Sequence, residues 1–255
     1  MTDRRKFLAR AGAGLAAFTL AGCTDLSQNK LVVGLLEDVE KLTRRAQRLF
    51  AGSRSLAPEF SKKDIALEFR ANGTLNPDTA DYNAHAANGF HDWRIAVGGL
   101  VERPLSLSMA QLRAMPSRTQ ITRHDCVEGW SCIGEWKGAP LAPVLAAARP
   151  TENARYVVFH CADNMAQPGF PEQYYYESLD LVEATHPQTI LAYELNGQAL
   201  PIQHGAPLRL RAERQLGYKM AKYIQRIELV ADFERIAGGK GGYWEDQGYT
   251  WYAGI

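Results

Sequence analysis

Short segments of regular pattern, separated by Gly, Pro, Asn and Asp, run through the chain from Pro58 to its C-terminal end. Apolar stretches over residues 156–161 and 190–195 have the length of strands, whereas the helical pattern over 140–148 is short. A doubly wound parallel sheet would need strands that alternate regularly with helices, and the sequence lacks that alternation. The pattern therefore predicts an α+β fold.

Local signals predict further elements. Ser108 and Gln111 match a capping box that begins a short helix, and Pro116 ends it. Ser178 is expected to cap another helix that ends near Thr185. We also predict strands over residues 93–101, 120–126, 207–211 and 221–230.

A segment with helical periodicity precedes the body of the chain. Residues 31–50 place apolar side chains at spacings of three or four, which predicts an amphipathic helix. We divide the chain into a targeting segment (1–23), a helical spacer (24–57) and a body (58–255). The body ends in a Gly-rich tail, residues 238–255, whose aromatic side chains predict that it packs onto the domain.

The targeting segment has the pattern of an export signal. Arg4 and Arg5 precede a weakly apolar stretch rich in Ala and Gly, and Leu20-Ala21-Gly22-Cys23 resembles a lipobox. This predicts export of the folded protein by the twin-arginine pathway and lipid attachment at Cys23, giving a lipoprotein anchored at the periplasmic face of a membrane. The alternative is a basic cytoplasmic tail before an ordinary helix.

Composition limits the class of protein. With 255 residues, 46% of them hydrophobic, the chain can form one large domain or two closely packed lobes. The net charge of +1 and the lack of a long run of Lys and Arg argue against a nucleic-acid partner.

The cysteines suggest a metal ligand. If Cys23 is lipidated, three of the four cysteines remain in an oxidising compartment, which is an odd number. The most plausible disulfide joins Cys132 to Cys161 and leaves Cys126 free. A free thiolate is a good ligand for a soft or high-valent metal. The alternative is that all three are inert buried thiols.

Two neighbouring segments are basic. Residues 204–211 and 217–222 combine small residues with several cations, a composition that can form an anion-binding cradle. The alternative is a solvated strand face. The sequence contains neither GxGxxG nor GxxxxGK[ST], so it does not support a dinucleotide or P-loop site.

These same segments resemble a known family. Residues 123–131, Arg-His-Asp-Cys-Val-Glu-Gly-Trp-Ser, followed by Trp-Lys-Gly-Ala-Pro-Leu over 136–141, resemble the metal-binding segment of the sulfite-oxidase-like molybdopterin oxidoreductases. The most similar branch contains the catalytic subunit of periplasmic methionine sulfoxide reductase. The basic segments resemble that family's pterin-phosphate region, and the resemblance covers roughly residues 65–235. It implies an α+β molybdopterin-binding domain with mixed sheets in a barrel-like arrangement.

The resemblance also implies roles for individual residues. Cys126 would ligate molybdenum and be the catalytic residue, and Arg209 and Lys222 would bind the phosphate of a molybdopterin that lacks a mononucleotide. The other implied cofactor-binding residues are Asn72, Cys161, His204 and Lys219. His204 and Cys161 stand where the related reductase has Asn and Thr.

One departure from the family bears on the substrate. Sulfite oxidases have arginines just after the ligand cysteine, whereas Val127, Glu128, Gly129 and Trp130 follow here. We therefore expect a small-molecule oxide as substrate and two-electron oxygen-atom transfer, most simply reduction of an S-oxide or N-oxide. Oxidation of an oxyanion such as sulfite is the alternative.

The sequence also bears on electron supply and on other classes of protein. Without a haem-attachment or iron–sulfur motif, electrons must come from a separate protein, such as a membrane b-type or a soluble c-type cytochrome. One alternative is a redox-inactive zinc lipoprotein that uses His124, Cys126, Cys132, His160 and Cys161. Another is a lipoprotein that serves only as a binding module.

Overall fold

The structure is a computed structural model that describes residues 29–52 and 54–255. The predicted targeting segment lies outside these described residues. The chain divides into two compact units after Phe50, and each is treated by itself. Helix α1 (Lys30–Ala51) confirms the predicted amphipathic helix over 31–50. None of the helices in the described ranges combines the length and hydropathy needed to cross a membrane.

The second unit contains helices and strands in mixed order. Its helices are α2 (Ala80–Ala87), α3 (Met109–Ala114), α4 (Leu141–Ala148), α5 (Leu181–Ala184) and α6 (Tyr243–Asp246). Its strands are β1 (Arg94–Gly99), β2 (Leu105–Ser108), β3 (Arg118–Asp125), β4 (Ser131–Pro140), β5 (Tyr156–Asn164), β6 (Tyr174–Asp180), β7 (Ile190–Leu195), β8 (Gln198–Ala199), β9 (Arg209–Arg211) and β10 (Ile224–Val230). The predicted α+β class with mixed, curled sheets is confirmed.

The first sheet has the strand order β2-β1-β10-β5-β6. Strands β1 and β10 pair in parallel, and the other neighbours are antiparallel. Ile95 and Val97 alternate with more exposed neighbours on β1, while Val157, Val158 and Phe159 are buried in succession on β5. These side chains belong to the larger hydrophobic core, whose burial stabilises the fold because apolar area is removed from water.

The second sheet has the order β3-β4-β7-β8, and β9 pairs with β7. Sequence patterning did not predict β4, because Gly134 and Gly138 interrupt its apolar alternation. Both glycines allow close packing. A Cβ at Gly134 would lie 2.8 Å from the Phe69 ring, and one at Gly138 would overlap the Leu191 carbonyl.

The capping predictions had different outcomes. The capping box at α3 is confirmed, because Ser108 Oγ accepts from Gln111 N at 3.2 Å and Gln111 Oε1 accepts from Ser108 N at 2.9 Å. The prediction that Ser178 caps a helix is wrong. Ser178 lies within β6, where its buried hydroxyl donates to the Gly241 carbonyl. The cap of α5 is Asp180, whose carboxylate accepts from Glu183 N at 3.0 Å.

The predicted disulfide is also wrong. Cys132 lies on β4 of the second sheet and Cys161 on β5 of the first, and Cys126, Cys132 and Cys161 are all free thiols. Cys132 Sγ instead lies 3.6 Å from the Glu68 carbonyl, while Cys161 packs within the core of the first sheet. The number of cysteines could not show that the two residues lie in different sheets, because pairing between distant strands decides which sheet a strand joins.

The C-terminal tail packs onto the domain, as predicted. Trp251 Nε1 donates to Ser178 Oγ at 2.8 Å, and Ala253 N donates to Gln215 Oε1 at 3.1 Å. Leu216 N donates to the Ala253 carbonyl at 2.9 Å. Hydrogen bonds from two separate parts of the body therefore fix the tail.

Candidate functional site

One cleft in the second unit brings together residues that are distant in sequence. It contains about 750 Å³ of space, part of which is open to solvent. Its walls come from the loop 72–74, the turn after β3, the end of β5, the segment 209–222 and the tail. The lining residues are Asn72, Gly73, Thr74, Cys126, Val127, Glu128, Asp163, Met165, Tyr175, Arg209, Gly217, Tyr218, Met220, Lys222, Trp244 and Tyr249.

Cys126 lies in the turn that joins β3 to β4. Cys126 N donates to the Trp130 carbonyl at 2.9 Å, and Gly129 N donates to the Cys126 carbonyl at 3.0 Å. Gly129 adopts a φ of +86°, a left-handed conformation that glycine tolerates best. Across the cleft, Asn72 Nδ2 donates to Cys126 Sγ at 3.3 Å. The turn and the amide together fix the position of the sulfur.

Opposing effects act on the Cys126 sulfur. Burial raises the pKa of the Cys126 thiol, and the backbone N–H groups of Glu128 and Val127 oppose that rise. Because burial prevails, the sulfur holds a proton unless another positive centre replaces it. A bound metal deprotonates a coordinating thiol and supplies that centre.

Arg209 and Lys222 form the cationic side of the cleft. Arg209 Nη1 donates to the His204 carbonyl at 3.0 Å, but its buried Nε has no partner. Lys222 Nζ donates to the carbonyls of Asn72 at 2.8 Å, Gln203 at 3.2 Å and Thr74. Burial and repulsion by Arg211 lower the pKa of Arg209 to about 9, and burial and repulsion by Arg209 lower the pKa of Lys222 to about 7. A bound anion would relieve this repulsion.

Gly205 allows the two cations to come close. It adopts a φ of +106°, and a Cβ there would lie 2.9 Å from Lys222 Cβ and 3.2 Å from Arg209 Cβ. Any other residue would be strained in its backbone and would press the two side chains apart. The position of Gly205 therefore requires glycine if the two cationic side chains are to keep their places.

Sequence analysis missed Asp163, which lines the same cleft. It is buried near the end of β5, and its Oδ1 has no hydrogen-bond partner. Burial raises the pKa of Asp163 to about 6, and a hydrogen bond from the Thr74 side chain opposes this rise. The local sequence contains no signal for it, because β5 has an irregular register between His160 and Asn164 and residues 161–163 are all buried.

Replacing Asp163 with asparagine should stabilise the cofactor-free protein near neutral pH. The folded-state pKa of about 6 exceeds the ordinary 3.8, so the wild-type protein loses stability as pH rises from about 4 through 6. Asparagine does not ionise, so the variant should gain on the order of 1–3 kcal/mol at pH 7.5 and little at pH 4. Urea unfolding at both pH values measures the difference.

The exposed carboxyl of Asp232 provides the control for this prediction. Asp232→Asn should change the free energy of unfolding by a few tenths of a kcal/mol at most, at either pH. An Asp163→Asn gain that is equal at both pH values would contradict a cost from buried ionisation.

Three of the predicted cofactor-binding residues lie outside the cleft lining. His204 is buried against Phe69 with ring centroids 5.6 Å apart, and burial lowers the pKa of His204 to about 4. Cys161 is buried in the core behind the wall. The buried Lys219 Nζ donates to Glu177 and Glu245. The structure thus brings Cys126, Asn72, Arg209 and Lys222 together in the cleft but not these three.

The histidines proposed for a zinc site have other partners. His124 Nδ1 lies 2.9 Å from Arg211 Nη1, and His160 Nε2 lies 2.9 Å from Glu228 Oε2. Across residues 29–52 and 54–255, no three His, Cys, Asp or Glu side chains come together as a metal-ligand group. The described residues therefore offer no zinc site.

The fold and the cleft define a class of protein. A concave site with one thiol, two buried cations and a free guanidinium donor suits a soft-metal cofactor that carries an anionic group. Residues 83–235 match the family model described as the oxidoreductase molybdopterin-binding domain. The chain belongs to this family and is a molybdopterin-dependent oxidoreductase, as the sequence resemblance predicted.

Relatives support the same assignment. YedZ1 of Azospira oryzae, provisionally named a protein-methionine-sulfoxide reductase subunit, is 35% identical over 98% of this chain and 87% of its own length. The protein-methionine-sulfoxide reductase catalytic subunit MsrP of Xanthomonas axonopodis is 43% identical over 57% of this chain and 47% of its own length. MsrP of Ralstonia nicotianae is 40% identical over 55% of this chain and 44% of its own length. The chain thus spans about half the length of the MsrP proteins.

Among solved structures, a chain of the sulfane dehydrogenase SoxCD from Paracoccus pantotrophus aligns with a TM-score of 0.48. The aligned sequences are 22% identical, and the match covers 56% of this chain and 39% of that chain.

Proposed function

We propose that this chain is the catalytic subunit of an exported enzyme that reduces S-oxides, with a molybdenum–molybdopterin cofactor in the cleft. The observation that carries the proposal is the convergence of Cys126, Arg209 and Lys222 on one cleft from separate parts of the chain. The names of the relatives support the reaction, because MsrP and YedZ1 are described as methionine-sulfoxide reductase subunits.

The residues present fit this cofactor. Cys126 offers a soft sulfur ligand for molybdenum, and the unpartnered Nε of Arg209 is a donor that a phosphate oxygen would satisfy. Lys222 adds a second charge beside it. Two adjacent cations match a single phosphate, which supports the pterin form without a mononucleotide. His204 and Cys161 would support this wall from behind.

The bound cofactor supplies the two-electron redox couple that oxygen-atom transfer requires. The protein positions and tunes the site. The Asn72 amide and the N–H groups of Glu128 and Val127 direct partial positive charge at Cys126 Sγ and favour its thiolate form. Reduction of an S-oxide to a sulfide consumes two electrons and two protons and releases water. Asp163, with a pKa of about 6, can hold a proton at its carboxyl in the cleft wall.

The charge next to Cys126 favours a neutral substrate. Val127 and Glu128 are both exposed beside the sulfur and line the cleft. Arg209 is the one arginine among the lining residues, and its guanidinium is buried on the cationic side. The exposed Arg70 also acts on the Cys126 sulfur, but the Glu128 carboxylate acts on it more strongly, so a sulfite dianion would approach this sulfur less favourably than a neutral molecule would. A neutral S-oxide meets no such repulsion.

Purified holoenzyme supplied with a reduced viologen should reduce neutral sulfoxides. Rates are to be normalised to molybdenum content, and sulfite oxidation is to be measured on the same sample with an artificial acceptor. Methionine sulfoxide and dimethyl sulfoxide should both be reduced. Efficient sulfite oxidation without reduction of either sulfoxide would replace this proposal with its alternative, a sulfite-oxidising enzyme.

The electron donor is proposed to be a separate protein. The relatives are named as subunits, which supports an enzyme that works with a partner. A membrane b-type or a soluble c-type cytochrome could deliver single electrons to the cleft. We infer that the enzyme works at the periplasmic face, anchored by a lipid at Cys23.

Changing Arg4 and Arg5 together to lysine should leave molybdenum-loaded protein in the cytoplasm, because the proposed pathway reads the arginine pair. Cell fractionation with immunoblotting and metal analysis measures the distribution. Replacing Arg44 and Arg45 with lysine is the matched control, because this pair lies within α1 and should leave export unchanged. Normal export of the Arg4/Arg5 variant with metal bound would contradict the twin-arginine assignment.

A further inference from the structure

The C-terminal tail forms part of the cleft although it lies beyond the matched family domain. The family model ends at residue 235, whereas Trp244 and Tyr249 line the cleft with Cys126. Both aromatic residues therefore contribute a wall that the family match does not account for.

The tail is held firmly on either side of Trp244. Glu245 binds the buried Lys219 ammonium, and Asp246 accepts from the Tyr176 hydroxyl at 2.7 Å. Asp246 also accepts from Gly238 N at 2.9 Å and from Lys240 N at 3.0 Å. These contacts anchor the short helix α6, which carries Trp244.

The wall consists of three aromatic rings in contact. The ring of Tyr249 lies 5.3 Å from that of Trp244 at an interplanar angle of 30°, and 5.3 Å from that of Tyr218 at 89°. The Tyr218 hydroxyl donates to the Thr250 carbonyl at 2.7 Å, which secures the third ring. Such edge and offset contacts are favourable geometries for aromatic pairs.

The cleft is polarised between this wall and the cationic side. Arg209, Lys222 and Asp163 provide the buried polar groups, whereas Tyr249 remains 39% exposed and Val127 47% exposed at the opening. The tail thus holds two aromatic side chains in the same cleft as Cys126, where an apolar ligand group can cover the exposed part of Tyr249.

We propose that Trp244 and Tyr249 bind the organic substituent of the S-oxide and make the enzyme select large aryl or alkyl substituents over small ones. This inference rests on the proposed function. An apolar substituent that covers the rings loses contact with water, and this burial is favourable. The two residues thus determine specificity and are not assigned a part in oxygen transfer.

The test is the substrate selectivity of Tyr249→Ala. We expect kcat/KM for methyl p-tolyl sulfoxide to fall about tenfold, the loss typical of one aromatic contact with its buried area. The value for dimethyl sulfoxide, which is too small to cover the ring, should change less than about twofold. The ratio of the two values is independent of how much cofactor each preparation contains. Tyr249→Leu, which keeps apolar bulk in the tail, provides a second variant if alanine loosens the fold.

Tyr174 is the matched control, because it is 43% exposed and lines a different cavity with His160. Tyr174→Ala should leave the selectivity ratio unchanged. An unchanged ratio in both Tyr249 variants, with normal molybdenum content, would overturn this inference and leave the proposed function intact. A wild-type enzyme that reduces neither sulfoxide would overturn the proposed function and this inference with it.

Discussion

Replacing Cys126 with alanine should abolish turnover and change the electron paramagnetic resonance signal of the molybdenum. Cys126 is the one cysteine among the lining residues of the cleft, so its loss removes the protein thiolate that can ligate the metal. The pterin should remain, because Arg209 and Lys222 still face its phosphate. Activity assays, electron paramagnetic resonance of bound molybdenum and pterin fluorescence after release measure the three effects.

The other two cysteines serve as controls. Cys132→Ala and Cys161→Thr should retain molybdenum and activity, because neither sulfur lines the cleft. Arg209→Ala should show the opposite loss, with pterin retention weakened roughly ten- to a hundredfold for one charge-assisted contact of about 1.5–3 kcal/mol. Full activity with an unchanged molybdenum signal in Cys126→Ala would refute the assigned ligand.

Replacing Lys219 with methionine should destabilise the protein by about 3–5 kcal/mol, as expected when one partner of a buried ion pair is removed. Lys219 Nζ is the cation between the fully buried carboxyl groups of Glu177 and Glu245. Each of those carboxyl groups has an Oε2 without any hydrogen-bond partner. Without the ammonium, two negative groups would face each other in the core. Urea unfolding of the cofactor-free protein measures the loss.

This measurement distinguishes a structural role for Lys219 from the cofactor-binding role implied by the family resemblance. A cofactor ligand would affect pterin retention and leave the cofactor-free protein as stable as before. Adding Glu245→Gln to Lys219→Met should recover part of the loss, because it removes one unpaired charge. Lys62→Met is the matched control, because the Lys62 side chain is 82% exposed. A Lys219→Met protein as stable as the control would contradict the structural role.

The sequence was informative where residue identity itself determines the chemistry. Two motifs could be found because each is local and chemically distinctive. One is Cys126 with the turn that follows it, and the other is the pair Arg209 and Lys222 with the nearby Gly205. The strands over 156–161 and 190–195 were predicted for a similar reason, because a continuous apolar run is itself the signal of a buried strand.

The missing parts of the prediction depend on contacts between distant segments. Asp163 is significant because it lines the same cleft as Lys222 and Cys126, and the residues next to it in the sequence do not indicate this position. Strand β4 was missed because its glycines make room for Phe69 and Leu191, which belong to other segments. The disulfide prediction was wrong for the same reason. It rested on the number of cysteines, whereas contacts between distant segments decide which strands share a sheet.

The scattered origin of the cleft walls has a consequence for folding. Lys222 Nζ and the Asn72 carbonyl that it binds are 150 positions apart in the sequence, and Tyr218 and Thr250 are 32 apart. Long loops must close before such contacts form, which makes topologies of high contact order slow to fold. The cleft should therefore appear only when the second unit is nearly native. Cofactor capture would then report that folding is complete, and a collapsed intermediate should not compete for the cofactor.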